Sequence, residues 1–289
     1  MIDRYQLRYF LAVADHGNFS RAAAHCNVAQ PTLSVGIAKL EKDLGTQLFI
    51  RNSRRVQLTG AGARFLSHAR SIENEFNLAM HAASERKGEP MLRLGLLRSV
   101  PFSLIAQAMA ALQTEAPDAM VELVEGTQRE LANALTRGRV DCALMLTGTG
   151  SDRFEEEPLF DEGYALALPR SHPAAQTDMV EADQVAQDVM FVRRHCEVLS
   201  ETSRFFTQRG VRPHFAFRSN NDERMLQLVA SGLGITLMPE CYRSGEVAMV
   251  PMRGFDHRRT IGLARIRGSQ GGFDHPAIGI LRRQLGSGA

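Results

Sequence analysis

Apolar positions in the first 45 residues fall at helical spacing in three short stretches. Leu7, Phe10, Leu11 and Ala14 recur at i, i+3, i+4 and i+7, which predicts an amphipathic helix closed near Gly17. NFSRAAAHCNV predicts a short Ala-rich helix with Ser20 as its N-cap. QPTLSVGIAKLEKDLG carries Pro31 in a first turn, a stripe of Leu33, Ile37, Leu40 and Leu44, and a stop at Gly45. The tight turn at Asn27–Ala29 between the last two helices spells helix-turn-helix, and the alternation in LFIRNSRRVQLT predicts a β-hairpin wing turning at Asn52–Ser53.

From Thr59, read as a cap, one long helix is predicted to about Arg86. Phe65, Ala69, Ile72, Phe76, Ala79 and Ala83 form an a/d seam along it. Such a seam is expected to lie against a second copy, although an ordinary helix packed on its own domain carries the same stripe. ERKGEP at 85–90 reads as a hinge. Beyond it the pattern changes. LRLGLL, SLIAQAMAALQTEA, MVELVEG, QRELANALTRG and VDCALML alternate strand and helix, predicting βαβαβ with a parallel sheet. YALALP, VMFVRR, EVLSETSRFFTQRG, HFAFRS, NDERMLQLVASG and GITLMP supply a second α/β set.

Charge sharpens this division. Residues 1–70 hold ten Arg or Lys against four Asp or Glu, whereas the rest of the chain holds 24 against 28. A basic head on a mildly acidic body points to a polyanionic partner for the head. The first residues of the third helix, Gln30, Pro31, Thr32 and Ser34, are short groups suited to base edges or phosphates, with Ser20 and Lys39 as further contacts. Arg51, Arg54 and Arg55 on the wing suit phosphates or a narrow minor groove, against the alternative of a solvated basic loop. Cys26 reads as a small core residue, and His16 and His25 as surface groups.

No apolar run reaches membrane-span length and the N-terminal stretch lacks a signal-peptide pattern, so a cytoplasmic protein with no membrane partner is expected. The four cysteines form no C-x-x-C pair or His/Cys cluster, so no metal site, disulfide scaffold or cofactor is expected. SGLGITLMP and TGTGSD contain Gly-x-Gly without the acidic partner of a dinucleotide site. No nucleophile–base pair stands out, and the chain is not expected to be an enzyme.

Ligands of open α/β sheets sit beyond strand C-termini, where helix N-termini point. Four junctions qualify: Arg98-Ser99-Val100-Pro101, Gly126-Thr127-Gln128, Arg193-Arg194-His195-Cys196 and Ser219-Asn220-Asn221-Asp222. Helix dipoles there favour an anion such as a small carboxylate. Arg98, Ser99, Val100, Pro101, Thr127, His195, Cys196 and Asn220 are the candidate contacts, while Thr127 and Asn220 serve equally well as helix caps. Arg193, Arg194, His195 and a helix start beside Cys196 also raise the prospect of a thiolate, and so of a thiol switch.

FSRAAAHCNVAQPTLSVGIAKLEKDLGTQLFIRNSRRVQLTGAG resembles the N-terminal signature of LysR-type transcriptional regulators, and the resemblance extends, more weakly, over the whole chain. It departs at Val35-Gly36, where that family often carries a long polar residue after the serine. The resemblance implies a winged helix-turn-helix at 1–59, a dimerisation helix at 60–87 and an effector-binding domain at 88–289. That last domain would have the periplasmic-binding-protein-like form of two α/β subdomains, about 91–161 plus 267–289 and about 162–266. Crossovers are expected near 160–163 and 264–268. A homotetramer, promoter DNA with imperfect dyad symmetry, a small-molecule effector in the cleft and RNA polymerase as a further partner are also implied. Around His195-Cys196 the chain is similar to OxyR-type peroxide sensors. Those carry a second cysteine at the position of Phe205, so their intramolecular disulfide is unavailable and only other thiol chemistry remains.

Overall fold

The computed structural model describes residues 2–52, 55–83, 91–269 and 272–286, which gather into two compact units. The first begins with α1 (Arg4–His16), α2 (Phe19–His25) and α3 (Gln30–Leu44). Asp3 and Gln6 form a capping box on α1, and Gly17 and Gly45 end α1 and α3 in the left-handed conformation at φ 60° and 65°. Ser20 does not cap α2. Asn18 does, accepting from the Arg21 N–H, because the helix starts two residues earlier than a Ser20 cap implies and leaves Ser20 exposed in its first turn.

The wing is the antiparallel pair β1 (Phe49–Asn52) and β2 (Arg55–Leu58). Glu41 on α3 holds it by accepting from the N–H groups of Leu48 (2.8 Å) and Phe49 (3.2 Å). Then α4 (Gly60–Ala83) starts under the Thr59 hydroxyl, which accepts from Gly62 N–H at 2.9 Å. Leu7, Phe10, Leu33, Ile37 and Leu40 fill the core, and the ring of Phe10 packs on Phe49 and Phe65 at centroid distances of 5.2 and 5.1 Å. Cys26 packs against this core, while His16 and His25 stack on its surface.

The heptad seam divides. Phe65 and Ala69 belong to this unit's own core, where α4 runs along α1, tied by Arg4–Glu73 (2.8 Å) and Arg70–Asp15 (2.6 Å). The expectation that the whole seam faces a second copy is corrected for these two residues. Ile72 and Phe76 remain 45% exposed, with the Arg4 guanidinium over the Phe76 ring. The side chains of Ala79 and Ala83, and all of the 85–90 hinge, lie outside the described residues.

In the second unit β3 (Leu92–Leu97), α5 (Phe102–Glu115), β4 (Val121–Gly126), α6 (Gln128–Thr136) and β5 (Cys142–Leu146) form the expected parallel βαβαβ, with β3 between β4 and β5. The 16-residue β6 (Phe154–Pro169) then changes neighbours at Gly163–Tyr164. Its first half pairs with β11 (Arg258–Ile266), which pairs in turn with β5. Its second half pairs with β9 (Thr236–Pro239) and β10 (Val247–Pro251). Around that half lie β7 (Val189–Arg193), α7 (Leu199–Gln208), β8 (His214–Ser219) and α8 (Asp222–Ala230), while α9 (Pro276–Gly286) packs on α5.

Two subdomains result, each with its own apolar core. The return crossing falls in Met252–Arg258, not at 264–268: Arg258–Ile266 is already hydrogen-bonded into the first sheet. RRTIGLARI has strand character throughout, and burial of Ile261 and Leu263 beside Cys142 and Leu144 settles which sheet it joins.

Gly36 answers the departure at Val35-Gly36. A Cβ there would stand 2.7 Å from the Tyr9 ring of α1, so the glycine admits close helix packing. Gly36→Ala is expected to destabilise the wild-type chain despite the ~1 kcal/mol of helix propensity that alanine adds. The same change in a Tyr9→Ala background is expected to stabilise, as urea unfolding of the four-member cycle would measure.

Candidate functional sites

On the first unit, α3 presents Gln30, Pro31, Thr32 and Lys39 to solvent, with Ser34 half-buried beside them. Gln30 donates to the Ser34 hydroxyl at 3.0 Å, pre-ordering two polar groups one helical turn apart. Val35 is 69% exposed on the same helix, an apolar group of the kind that meets a thymine methyl. Arg54 lies outside the described residues. For Arg51 and Arg55 only the strand backbone is described, and it places both on the wing.

On the second unit all four expected junctions lie where a strand ends and a helix begins. They do not meet in one pocket. Arg98, Val100 and Asn220 line an open pocket with Phe102, Glu223 and Tyr242. Pro101 is the N-cap of α5. Thr127 acts as a cap: its N–H and hydroxyl both donate to Glu130, whose N–H returns to the hydroxyl. The α6 N-terminus is thereby closed by its own carboxylate, and the hydrogen bonds hold Glu130 below the usual carboxylate range.

His195 and Cys196 sit on a buried ion pair that the sequence reading overlooked. Arg193 and Asp222 each have side chains 1% exposed, and the guanidinium grips the carboxylate with two nitrogens, Nε at 2.7 Å. Arg193 Nη1 also donates to the Leu237 carbonyl at 3.2 Å. His195 Nε2 stands 3.2 Å from Asp222 Oδ1, and both ring nitrogens are buried without a hydrogen bond of good geometry among the described residues. Burial opposes ionisation of Asp222, but the contacts from His195 and Arg193 outweigh it and bring the carboxyl down to about 2. Arg193 is consequently spent on Asp222. Burial pushes the Cys196 thiol up, with Arg193 opposing, which corrects the expectation of a thiolate.

Ser99 enters a second network, centred on Arg259 at the crossing of β6 and β11. Arg259 donates from Nε to Glu162 (2.8 Å), from Nη1 to the Ser99 hydroxyl (2.7 Å) and to Glu197 (2.9 Å), and from Nη2 to the Ser99 carbonyl (2.9 Å). The Ser99 hydroxyl donates to Glu197, and the Tyr164 hydroxyl approaches the other Glu197 oxygen at 3.4 Å. Glu162 also accepts from the Cys241 N–H at 2.6 Å. Burial works against the charge on Arg259, yet Glu162 and Glu197 raise its pKa above the ordinary arginine range. Arg259, Glu162, Glu197 and Tyr164 were not singled out from sequence. The only signal was a charged residue inside a strand pattern, in HRRT and FDEG, and such a residue reads equally well as a solvated edge.

Asp222→Asn removes the countercharge of a buried guanidinium and is expected to cost roughly 3–5 kcal/mol. Arg193→Met with Asp222→Leu is expected to cost less than the single change, as denaturant unfolding of the three variants would measure. Because the folded-state pKa of Asp222 is depressed, its contribution is complete above about pH 4 and is lost as pH falls through about 2.

Comparison with known proteins places both units. The model of the bacterial regulatory helix-turn-helix protein of the lysR family matches residues 5–63, and that of the LysR substrate binding domain matches residues 85–277. The hydrogen peroxide-inducible genes activator of Pectobacterium carotovorum subsp. carotovorum is 35% identical over 274 residues, covering 91% of this chain and 90% of that protein. The Hca operon transcriptional activator HcaR of Escherichia coli is 31% identical over 258 residues, 86% of each. A full-length OxyR cysteine-to-aspartate variant from Pseudomonas aeruginosa shares the fold, with a TM-score of 0.68 at 24% identity over 99% of this chain and 95% of that one. No described helix is long and apolar enough to cross a membrane. The winged helix-turn-helix of the first unit and the two crossed α/β subdomains of the second thus fall under one heading: the chain belongs to the LysR family of bacterial transcriptional regulators, which are not enzymes.

Proposed function

We propose that this regulator acts in the cytoplasm on double-stranded promoter DNA of imperfect dyad symmetry, and that a small anionic organic effector gates it in the cleft between its two α/β subdomains. The division is residues 1–59 for DNA, 60–87 for dimerisation and 88–289 for the effector. The observation that carries the reading is the α2–α3 pair with Gln30, Pro31, Thr32 and Lys39 exposed together, followed by a basic wing. Ser20, at the exposed start of α2, and Ser34 complete the helix contacts, and Arg51, Arg54 and Arg55 reach the backbone or minor groove.

Dimerisation uses the exposed part of the α4 seam, Ile72 and Phe76, so that two α3 helices meet two half-sites. Pairing of dimers gives a homotetramer, with RNA polymerase as the downstream partner. On the effector side Ser99, backed by Arg259, is the strongest anion contact. Arg98, Val100 and Asn220 line the neighbouring pocket, and Pro101, Thr127, His195 and Cys196, at the junctions outside its lining, are the further contacts. The effector acts only through a difference in affinity between two cleft arrangements.

A second reading, a thiol switch at Cys196, is favoured by the similarity to a hydrogen peroxide-inducible genes activator over 91% of the chain. It proceeds without an intramolecular disulfide to position 205, which is phenylalanine. Hydrogen peroxide oxidises the Cys196 thiol to a sulfenic acid with release of water; one external thiol condenses with it to a mixed disulfide, losing water, and a second external thiol exchanges with that disulfide to return Cys196 to the thiol.

Binding to an operator fragment is expected to weaken steeply with salt, with Arg55→Ala lowering the slope of log K against log salt by about one. A promoter response that persists in Cys196→Ser is expected, and it would leave the cleft as the sensor. Loss of the response in Cys196→Ser together with loss in Cys196→Ala, both folded and DNA-binding, would transfer the sensing role to the thiol.

A further inference from the structure

The cleft floor carries two acidic groups against one basic group. Glu162 and Glu197 both pair with Arg259, and the three side chains are 6%, 15% and 3% exposed. Glu162 is fixed on the strand next to Arg259, with register Arg259↔Glu162, and is further held by the Cys241 N–H. Glu197 is different. It belongs to the turn between β7 and α7 in the second subdomain, and it reaches Ser99 at the end of β3 in the first. The Ser99 hydroxyl and Arg259 Nη1, with the Tyr164 hydroxyl beside them, make a carboxylate seat, and a carboxylate from the opposite subdomain sits in it. The same subdomain sends a second one across: Glu223, at the start of α8, accepts from Phe102 N–H at the first turn of α5 at 3.3 Å.

We propose that Glu197 is a tethered occupant of this seat, an internal stand-in for the carboxylate of an anionic effector that latches the two subdomains together until a free carboxylate replaces it. Three carboxylates cannot share one buried guanidinium, so an arriving anion has to expel one of them. Glu162 is anchored on a paired strand, which leaves Glu197. Exchange of one carboxylate for another conserves the charge of the floor and every hydrogen bond of Arg259. What changes is the covalent link to the turn carrying His195, Cys196 and Val198. A tethered group acts at an effective concentration of roughly millimolar or more, so the latch sets the threshold an effector must exceed. It also sets the class of ligand: a small molecule with at least one carboxylate.

The latch rests on the effector-cleft reading for its consequence in the cell, but it can be measured without DNA. Thermal unfolding of the full chain is followed with sodium acetate as the probe, against sodium chloride at equal ionic strength. Glu197→Ala is expected to melt lower than wild type, and acetate is expected to raise its midpoint with a half-saturating concentration at least tenfold below that for wild type. Adding Ser99→Ala should remove the acetate response. Should Glu197→Ala not fold, Glu197→Gln carries the test: its neutral amide fills the seat more weakly than a carboxylate, so acetate should stabilise it more than wild type. Equal responses of wild type and the folded variants, or none in any, would overturn the latch. An operator complex still sensitive to a small acid under that outcome would leave the effector cleft standing without it.

Discussion

The guanidinium of Arg259 is the fixed point of the effector half. It lies at the crossing of β6 and β11, the two strands that join the subdomains. A charge 3% exposed has to be matched where it stands, because desolvating it unpaired costs several kcal/mol. The match comes from three parts of the chain: Glu162 on the adjacent strand, Ser99 at the end of β3, and Glu197 from the turn ahead of α7. The subdomains are thus linked by covalent strands and by the electrostatic needs of one arginine. Arg193 repeats the device within the second subdomain, where Asp222 ties the end of β7 to the start of α8.

These pairs explain why the fold was legible in the sequence and the site only in part. The helix-turn-helix, the wing and the βαβαβ order follow from local signals: apolar spacing, Pro31 in a first turn, Gly17 and Gly45 at positive φ. Such signals act within a few residues and need no tertiary knowledge. The misreadings fall where a local rule had two outcomes. Ser20 and Asn18 are both good caps, and the helix took the earlier one. Phe65 and Ala69 fit either a heptad seam or a domain core, and α1 claimed them. RRTIGLARI would serve in either sheet, so only the pairing with β5 placed the second crossing.

Burial of charge is where local reading ends. Arg193 and Arg194 are adjacent, yet one is 2% exposed and the other faces solvent. Nothing in the dipeptide distinguishes them, because the difference comes from Asp222, 29 residues on. The four strand-to-helix junctions were found from sequence, but the chain's own carboxylates at three of them were not. Glu130 closes α6, Glu223 reaches α5, and Glu197 fills the seat at Ser99. The dipoles that favour an external anion favour an internal one first, since the internal one loses less entropy on binding.

The same logic bears on the thiol. In the peroxide sensors that this segment resembles, the position of Phe205 is a cysteine. Here Phe205 is 6% exposed and edge-packed on Phe206 and Phe255 at centroid distances of 5.4 and 5.3 Å, with the Arg209 guanidinium 3.8 Å from its ring centroid. An aromatic side chain so placed pins the later half of α7 to the second core through contacts that cost about 3–5 kcal/mol to remove. α7 is therefore anchored at Phe205. The turn ahead of it is held within its own subdomain by the Cys196 N–H on the Arg193 carbonyl, by His195 beside Asp222 and by buried Val198, and Glu197 is its link to Ser99 and Arg259. A signal entering through this turn, whether an anion at Ser99 or an oxidant at Cys196, meets the hold of Glu197 upon Arg259. The carboxylate is consequently the common element through which either chemistry would be felt by the two subdomains.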